Sequence, residues 1–437
     1  MNYVSRREWL SRTATLAAFA LVPRLARGQK PEVLDAGKLP RGRAITTGPK
    51  HHWFGYYDKL QFDSTGRRVL GMEVDFEHRS PRIEDEIGIG YADLGDTDAS
   101  GMPRWVEVGR SRAWGWQQGC MLQWRPGSKE EILWNDREGD RFVCRVMNLA
   151  SGAIRTLPLP IYTIAPDGKT AFTIDFARLQ RMRPGYGYAA APPAGGYAPV
   201  PDDNGIWKID LDTGAFELVV SIAEIAAFEP DASGAGKNHW FNHLLVNTDS
   251  TRLEFLHRWS HRGFTTRMLT MNLDGSDRYV LDPGGATSHF IWRDAGHLLA
   301  WTKPVGRELG FWVFRDKSRD VERVGGGVMT ENGHCTYLPA HEYAGPEGQP
   351  TPRWILNDTY PDSRRLQHPY LYDVSTGRRV SLGSFESPSA YSGEWRCDTH
   401  PRSSRDGMMV CIDSPVGDSA TGGQGRQMHL IDIAGHV

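Results

Sequence analysis

The 437-residue chain has no apolar run long enough to span a bilayer. Its longest, Thr13 to Val22, is half of the roughly 20 residues a membrane helix needs. Charge of one sign is also missing: 51 Lys and Arg stand against 53 Asp and Glu. No global basic field marks a nucleic-acid partner. Cysteine is scarce. Cys120, Cys144, Cys335, Cys397 and Cys411 are odd in number and irregular in spacing, which excludes a disulfide framework. A Cys397–Cys411 bridge across a hairpin is the one conceivable pairing; buried thiols are the expectation. No Gly-x-Ser-x-Gly elbow with an accompanying α/β segment appears, which argues against a serine hydrolase. Long 3.6-residue periodicity is nearly absent, Val220 to Phe228 being one short helical stretch.

What is abundant is turn chemistry: 48 Gly and 27 Pro. A Pro/Asp-Gly type of hairpin recurs at Asp63–Gly66, Arg125–Gly127, Ala165–Gly168, Asn247–Ser250 and Arg293–Gly296. It returns as a longer loop, Pro339–Pro352, and as Ser404–Gly407. Gly, Asn and Asp supply the positive φ such turns require. A second signature, Asp-x-x-Thr-Gly or close to it, follows some 20–30 residues later. Clear copies are Asn148–Gly152, Asp210–Gly214, Asn272–Gly275 and Asp373–Gly377, with looser ones near Asp93, Asp316 and Asp432. Seven such pairs predict an all-β chain, a seven-bladed β-propeller over residues 46–437.

Residues four to seven positions before each first hairpin occupy equivalent blade positions and must converge at one mouth of the ring. They include Tyr57 in blade 1, Tyr162 in blade 3, Asn242 and His243 in blade 4, and His289 in blade 5. Blade 6 gives His334 and Cys335, and blade 7 gives Asp398 and His400. Imidazole and thiolate favour zinc and similar metals. His289, His334 or Cys335, and His400, with His243 as a further member, are therefore the expected ligands of a divalent metal, zinc first, with manganese or calcium as alternatives. The same face is rich in polar aromatics and arginines: His51–Lys59, Asn238–His243, Arg178, Arg183, Tyr186, Tyr188 and Arg258. Arginine forks suit carboxylates or sulfates, and aromatic rings stack on sugars.

On these residues the chain resembles the seven-bladed-propeller polysaccharide lyases, the oligogalacturonate lyases and the propeller-type ulvan lyases. The likeness rests on the blade pattern, the His52-Trp53-Phe54-Gly55-Tyr56-Tyr57-Asp58 start, Asn242-His243 and Asp398-Thr399-His400-Pro401. It implies β-elimination on uronic-acid-containing glycans. A cation neutralises the carboxylate, a base removes the C5 proton, and an acid assists departure at O4. The ulvan type implies Tyr162 as acid or base, with Arg178 as the carboxylate neutraliser that lowers its pKa. The oligogalacturonate type implies His243 as base, with His289 and His400 on the metal. The ulvan-type metal site is structural, a version that Cys335 favours. The chain departs from the ulvan pattern in blade 2, where Gln117 and Asn135 stand without any histidine. His51, His52 or His243 would then serve as base. Gln117, Asn135, Arg183, Tyr188, Asn242, Arg258 and Tyr57 are the expected substrate-binding residues. A non-catalytic glycan-binding propeller on the lyase scaffold is the alternative.

Ser5-Arg6-Arg7 before the apolar run resembles a twin-arginine export signal. The expected organisation is a signal over 1–28, a linker over 29–45 and the propeller over 46–437, in a periplasmic or secreted protein. The expected partner is a uronate-containing glycan, with no nucleic acid, no membrane after signal removal, and a monomer or small homo-oligomer.

Overall fold

The computed structural model describes residues 39–260, 263–345, 348–415 and 425–437. The export signal lies outside them. Seven four-stranded antiparallel sheets follow one another in chain order, the predicted propeller. Each first-signature hairpin joins the innermost strand of a blade to its second strand, and the clear second-signature turns join the third to the fourth. The exception closes the ring. In the seventh blade the outer strand is Arg41–Ala44, which pairs with Gln427–Asp432 from the other end of the chain. The expected linker thus supplies a strand, and the turn signature near Asp432 leads into no further hairpin.

Core side chains sit between blades rather than in one central mass. Trp53, Trp114, Trp116, Trp124 and Trp134 fill the layers around the first two blades. A larger cluster centred on Tyr162, Phe172, Phe176 and Phe241 joins blades 3 and 4. The axis is therefore left to polar groups. Helices are short: Phe176–Met182, capped by Asp175, and Ile222–Ala227, capped by a Ser221–Glu224 box. The latter matches the predicted helical stretch. Among the described residues no helix is long and apolar enough to cross a membrane. All five cysteines are buried and free.

Candidate active site at the channel mouth

A single backbone bond defines the blade register. In each first hairpin one N–H donates back across the turn: Asp63 to Arg68, Arg125 to Glu131, Ala165 to Thr170, and Asn247 to Arg252. The series continues with Arg293 to His297, Leu338 to Trp354, and Ser404 to Met409. The residue four positions before each donor is Lys59, Met121, Ile161, His243, His289, His334 and His400 in turn. Blades 4 to 7 thus place one imidazole each at the same height. His243 and His400 have φ of +53° and +39°, a left-handed conformation that costs a non-glycine residue energy and clusters at functional sites.

The imidazoles form a chain around half the mouth. Ring centroids lie 4.2 Å apart for His334 and His400, 4.3 Å for His289 and His334, and 6.2 Å for His243 and His289. Tyr56 and Tyr57 of blade 1 reach across to them. The Tyr56 hydroxyl is 2.5 Å from His243 Nδ1, and its ring meets His400 at 5.3 Å. Tyr57 packs against His289 and His334 and donates to the carbonyl of Phe290 at 2.9 Å. All four histidines are at most 5% exposed. Burial first, then the charges of neighbouring arginines and histidines, pushes His243, His289 and His400 far below the usual imidazole range. They are neutral ligands or proton acceptors at neutral pH.

His334, Asp398 and His400 bring one ligand atom each within 4.8 Å of one another. Asp398 Oδ2 lies 4.0 Å from His334 Nε2 and 3.9 Å from His400 Nε2. Neither nitrogen has a hydrogen-bond partner among the described residues. Two buried imidazoles with free nitrogens beside a carboxylate suit a divalent cation. The other nitrogen of His334 is held by Asp358 at 3.0 Å. Burial works to raise the Asp358 carboxyl, but His334 and the Thr399 hydroxyl outweigh it and hold it low. Such a carboxylate orients a metal-ligating imidazole. His289, tied through Nδ1 to Asn332 at 3.0 Å, stands beside the trio rather than in it.

Cys335 is not part of this group. It packs with Leu299, Phe311, Ile355 and Tyr370, and burial raises its thiol. Adjacent residues of an extended strand face opposite ways, so His334 at the axis sends Cys335 into the core. The expectation of zinc rested on imidazole and thiolate together, and of the two only the imidazoles remain. The nitrogen and oxygen donors that remain also suit manganese.

The Tyr162–Arg178 pair is not formed either. Tyr162 is one residue out of the histidine register and lies in the core, 0% exposed. Its hydroxyl receives Gln118 Nε2 at 2.6 Å and the His243 N–H at 2.9 Å, and donates to Asn242 Oδ1 at 3.0 Å. Burial raises its pKa, and the arginine acting on it is Arg258. Arg178 spends its guanidinium on three carbonyls, of His239, Ala198 and Pro199, at 2.8 to 2.9 Å. It clamps the Gly/Pro/Tyr-rich loop to blade 4.

Other expected residues are also structural. Asn135 bonds the backbone of Ile161 and the Tyr188 hydroxyl, both fully buried. His52 is bonded to Gln427 at 3.0 Å and paired with Glu73 at 3.4 Å, between blades 1 and 7 and away from the four imidazoles. Gln117 donates to the carbonyls of Glu394 and Arg396, and so holds the segment that leads from blade 6 into blade 7.

That segment carries residues the sequence reading passed over. Arg396 donates to Asp398 and to the Tyr186 hydroxyl, each at 2.7 Å. The Tyr186 ring meets His243 edge-on at 5.8 Å. Burial alone would raise Tyr186; Arg396 and Arg183 bring it below the ordinary phenol value. Arg183 lies 5.0 Å from the Tyr186 ring. Arg258, buried and with one unbonded nitrogen, is lowered to about 10 by burial and then by Arg183. Arg396 stands two residues before the Asp398-Thr399-His400 motif, the one signal that could have drawn attention to it.

Among solved structures, the chain is similar to an oligogalacturonate lyase from Vibrio parahaemolyticus, with a TM-score of 0.61 and 12% identity over 92% of this chain and 95% of that one. It is likewise similar to an oligogalacturonate lyase in complex with manganese, with a TM-score of 0.61 and 12% identity over 90% and 93%. The likeness is one of fold. The β-propeller domain of the Trilobed protease from Pyrococcus furiosus follows at a TM-score of 0.47 and 9% identity, over 87% and 96%. No protein-family model matches the chain, and no curated protein does so significantly.

Proposed function

We propose that this protein is a lyase that cleaves uronate-containing glycans by β-elimination at the histidine mouth. The observation that carries this reading is Arg396, which joins a carboxylate of the candidate metal trio to a phenol of lowered pKa. A divalent cation held by His334, His400 and Asp398 would neutralise a uronate carboxylate and acidify its C5–H. Arg258, with its free nitrogen, is the side chain available to a second carboxylate oxygen. Tyr186 takes the C5 proton as phenolate, stabilised by Arg396 and Arg183, and returns it to the departing O4. Neutral His243, bonded to Tyr56, sets the position of the Tyr186 ring. The fold likeness to two oligogalacturonate lyases supports the reaction class, and the manganese of one supports that ion here. The twin-arginine motif supports action in the periplasm or outside the cell.

Incubation of manganese-loaded protein with pectic oligosaccharides, ulvan and glycosaminoglycans tests the proposal. The expected result is ultraviolet absorbance from an unsaturated uronate. Tyr186→Phe should lower kcat about 10²- to 10⁴-fold with substrate affinity kept. Silence on every glycan would overturn the reading.

One observation favours a glycan-binding propeller instead: the four imidazoles are nearly sealed from solvent. On that reading saturable glycan binding occurs without product, and Tyr186→Phe changes affinity alone.

A further inference from the structure

A groove of about 970 Å³ lies beside the histidine mouth, within the size range of ligand pockets. Its floor is the helix Phe176–Met182. Its walls are the 81–84 loop and the 189–197 segment. Both walls connect second to third strands, of blades 1 and 3. In an antiparallel blade those connections leave the ring at the end where the innermost strands begin. Groove and histidines therefore share a face.

The two guanidiniums in the groove make no hydrogen bond among the described residues, although the charge of Arg82 acts on the Asp85 carboxylate. Arg82 and Arg181 line it and are exposed. Neither forms an ion pair among the described residues. Tyr197 also faces the groove; burial and then Asp175 raise its hydroxyl, against the charges of Arg178 and Arg181. Glu84 is the one carboxylate in the lining, and its charge acts on Arg79. Two exposed guanidiniums and a partly exposed tyrosine are groups suited to acidic sugars.

The groove ends against the segment that carries Arg396. Gln180, in the groove lining, donates to Glu394 Oε1 at 2.8 Å. Ser80, next to Pro81 of the lining, donates to Glu394 Oε2. Glu394 thus forms a polar crossbar between groove and mouth, two residues from the arginine that holds Tyr186 and Asp398.

We infer that this groove binds the part of an anionic oligosaccharide that lies outside the reacting unit, with Arg82 and Arg181 reading its carboxylate or sulfate groups. This rests on the glycan lyase reading and names how that site selects long acidic chains. Free Coulombic contacts of this kind also make binding fall with salt.

Isothermal titration with hexagalacturonate, digalacturonate and fully methyl-esterified hexagalacturonate tests it, with an ulvan oligosaccharide as the sulfated probe. Wild type should prefer an acidic long chain over both the dimer and the ester. Arg82→Ala and Arg181→Ala should each weaken long-chain binding about tenfold. Dimer affinity, metal content and melting temperature should stay unchanged. A double variant that binds the acidic long chain as tightly as wild type would overturn the inference, as would equal affinity for the ester. Long-chain binding without unsaturated product removes the lyase reading and leaves the groove. Turnover independent of Arg82 and Arg181 removes the groove and leaves the lyase. No binding of any probe overturns both.

Discussion

His52 illustrates how a catalytic residue type can be spent on stability. It sits in the first strand of blade 1, and its partners come from the second strand and from blade 7. Burial tends to raise the Glu73 carboxyl, but His52 and Lys50 overcome it and hold it down at about 2. An unfolded glutamate titrates near 4.3. A depressed folded pKa contributes stability that is complete above the unfolded value and is lost as pH falls through the folded one. The pairs around Glu73 should therefore stabilise the protein above about pH 4.3 and fade towards about pH 2. Urea midpoints across that window should fall for wild type. They should fall less for Glu73→Gln, with the two proteins converging at the acid end.

At the scale of elements, the expected linker proves to be architecture. Arg41–Ala44 pairs residue for residue with Asp432, Ile431, Leu430 and His429. Truncation that starts the chain at residue 45 should leave every hairpin intact but expose an unpaired edge along Gln427–Asp432, which invites strand addition between copies. The expected outcome is a lower melting temperature with self-association in size-exclusion chromatography. An unchanged melt and a single monomer peak would contradict it. Polarity also decides what the elements leave free. The Gly/Pro/Tyr-rich segment was readable as a loop, but its clamping by Arg178 was not. A guanidinium in a sequence does not say whether it will face substrate carboxylates or backbone carbonyls.

For the molecule as a whole, ring closure and the candidate metal site are separate. Closure lies in the outer strand of blade 7, whereas His334, Asp398 and His400 sit at the axis. Chelation should therefore remove metal, measured by elemental analysis, and abolish product formation while far-ultraviolet circular dichroism persists. Collapse of the fold on chelation would instead make the ion a structural clamp. The expected thiolate site, of the closed structural kind, loses its basis with Cys335 in the core.

The chain by itself determined the blade number, the position of each first hairpin and the single histidine per blade in blades 4 to 7. Turn chemistry is local, and a constant four-residue spacing carries each histidine from its hairpin to the same height. One step of register was enough to misplace Tyr162 and Cys335, because alternate residues of a strand face opposite sides. Only the tertiary structure decided that Tyr186 meets Arg396, 210 positions away, and that Tyr56 meets His243 across the channel. Those meetings depend on loops crossing a closed ring, and no local pattern encodes where such a loop comes to rest.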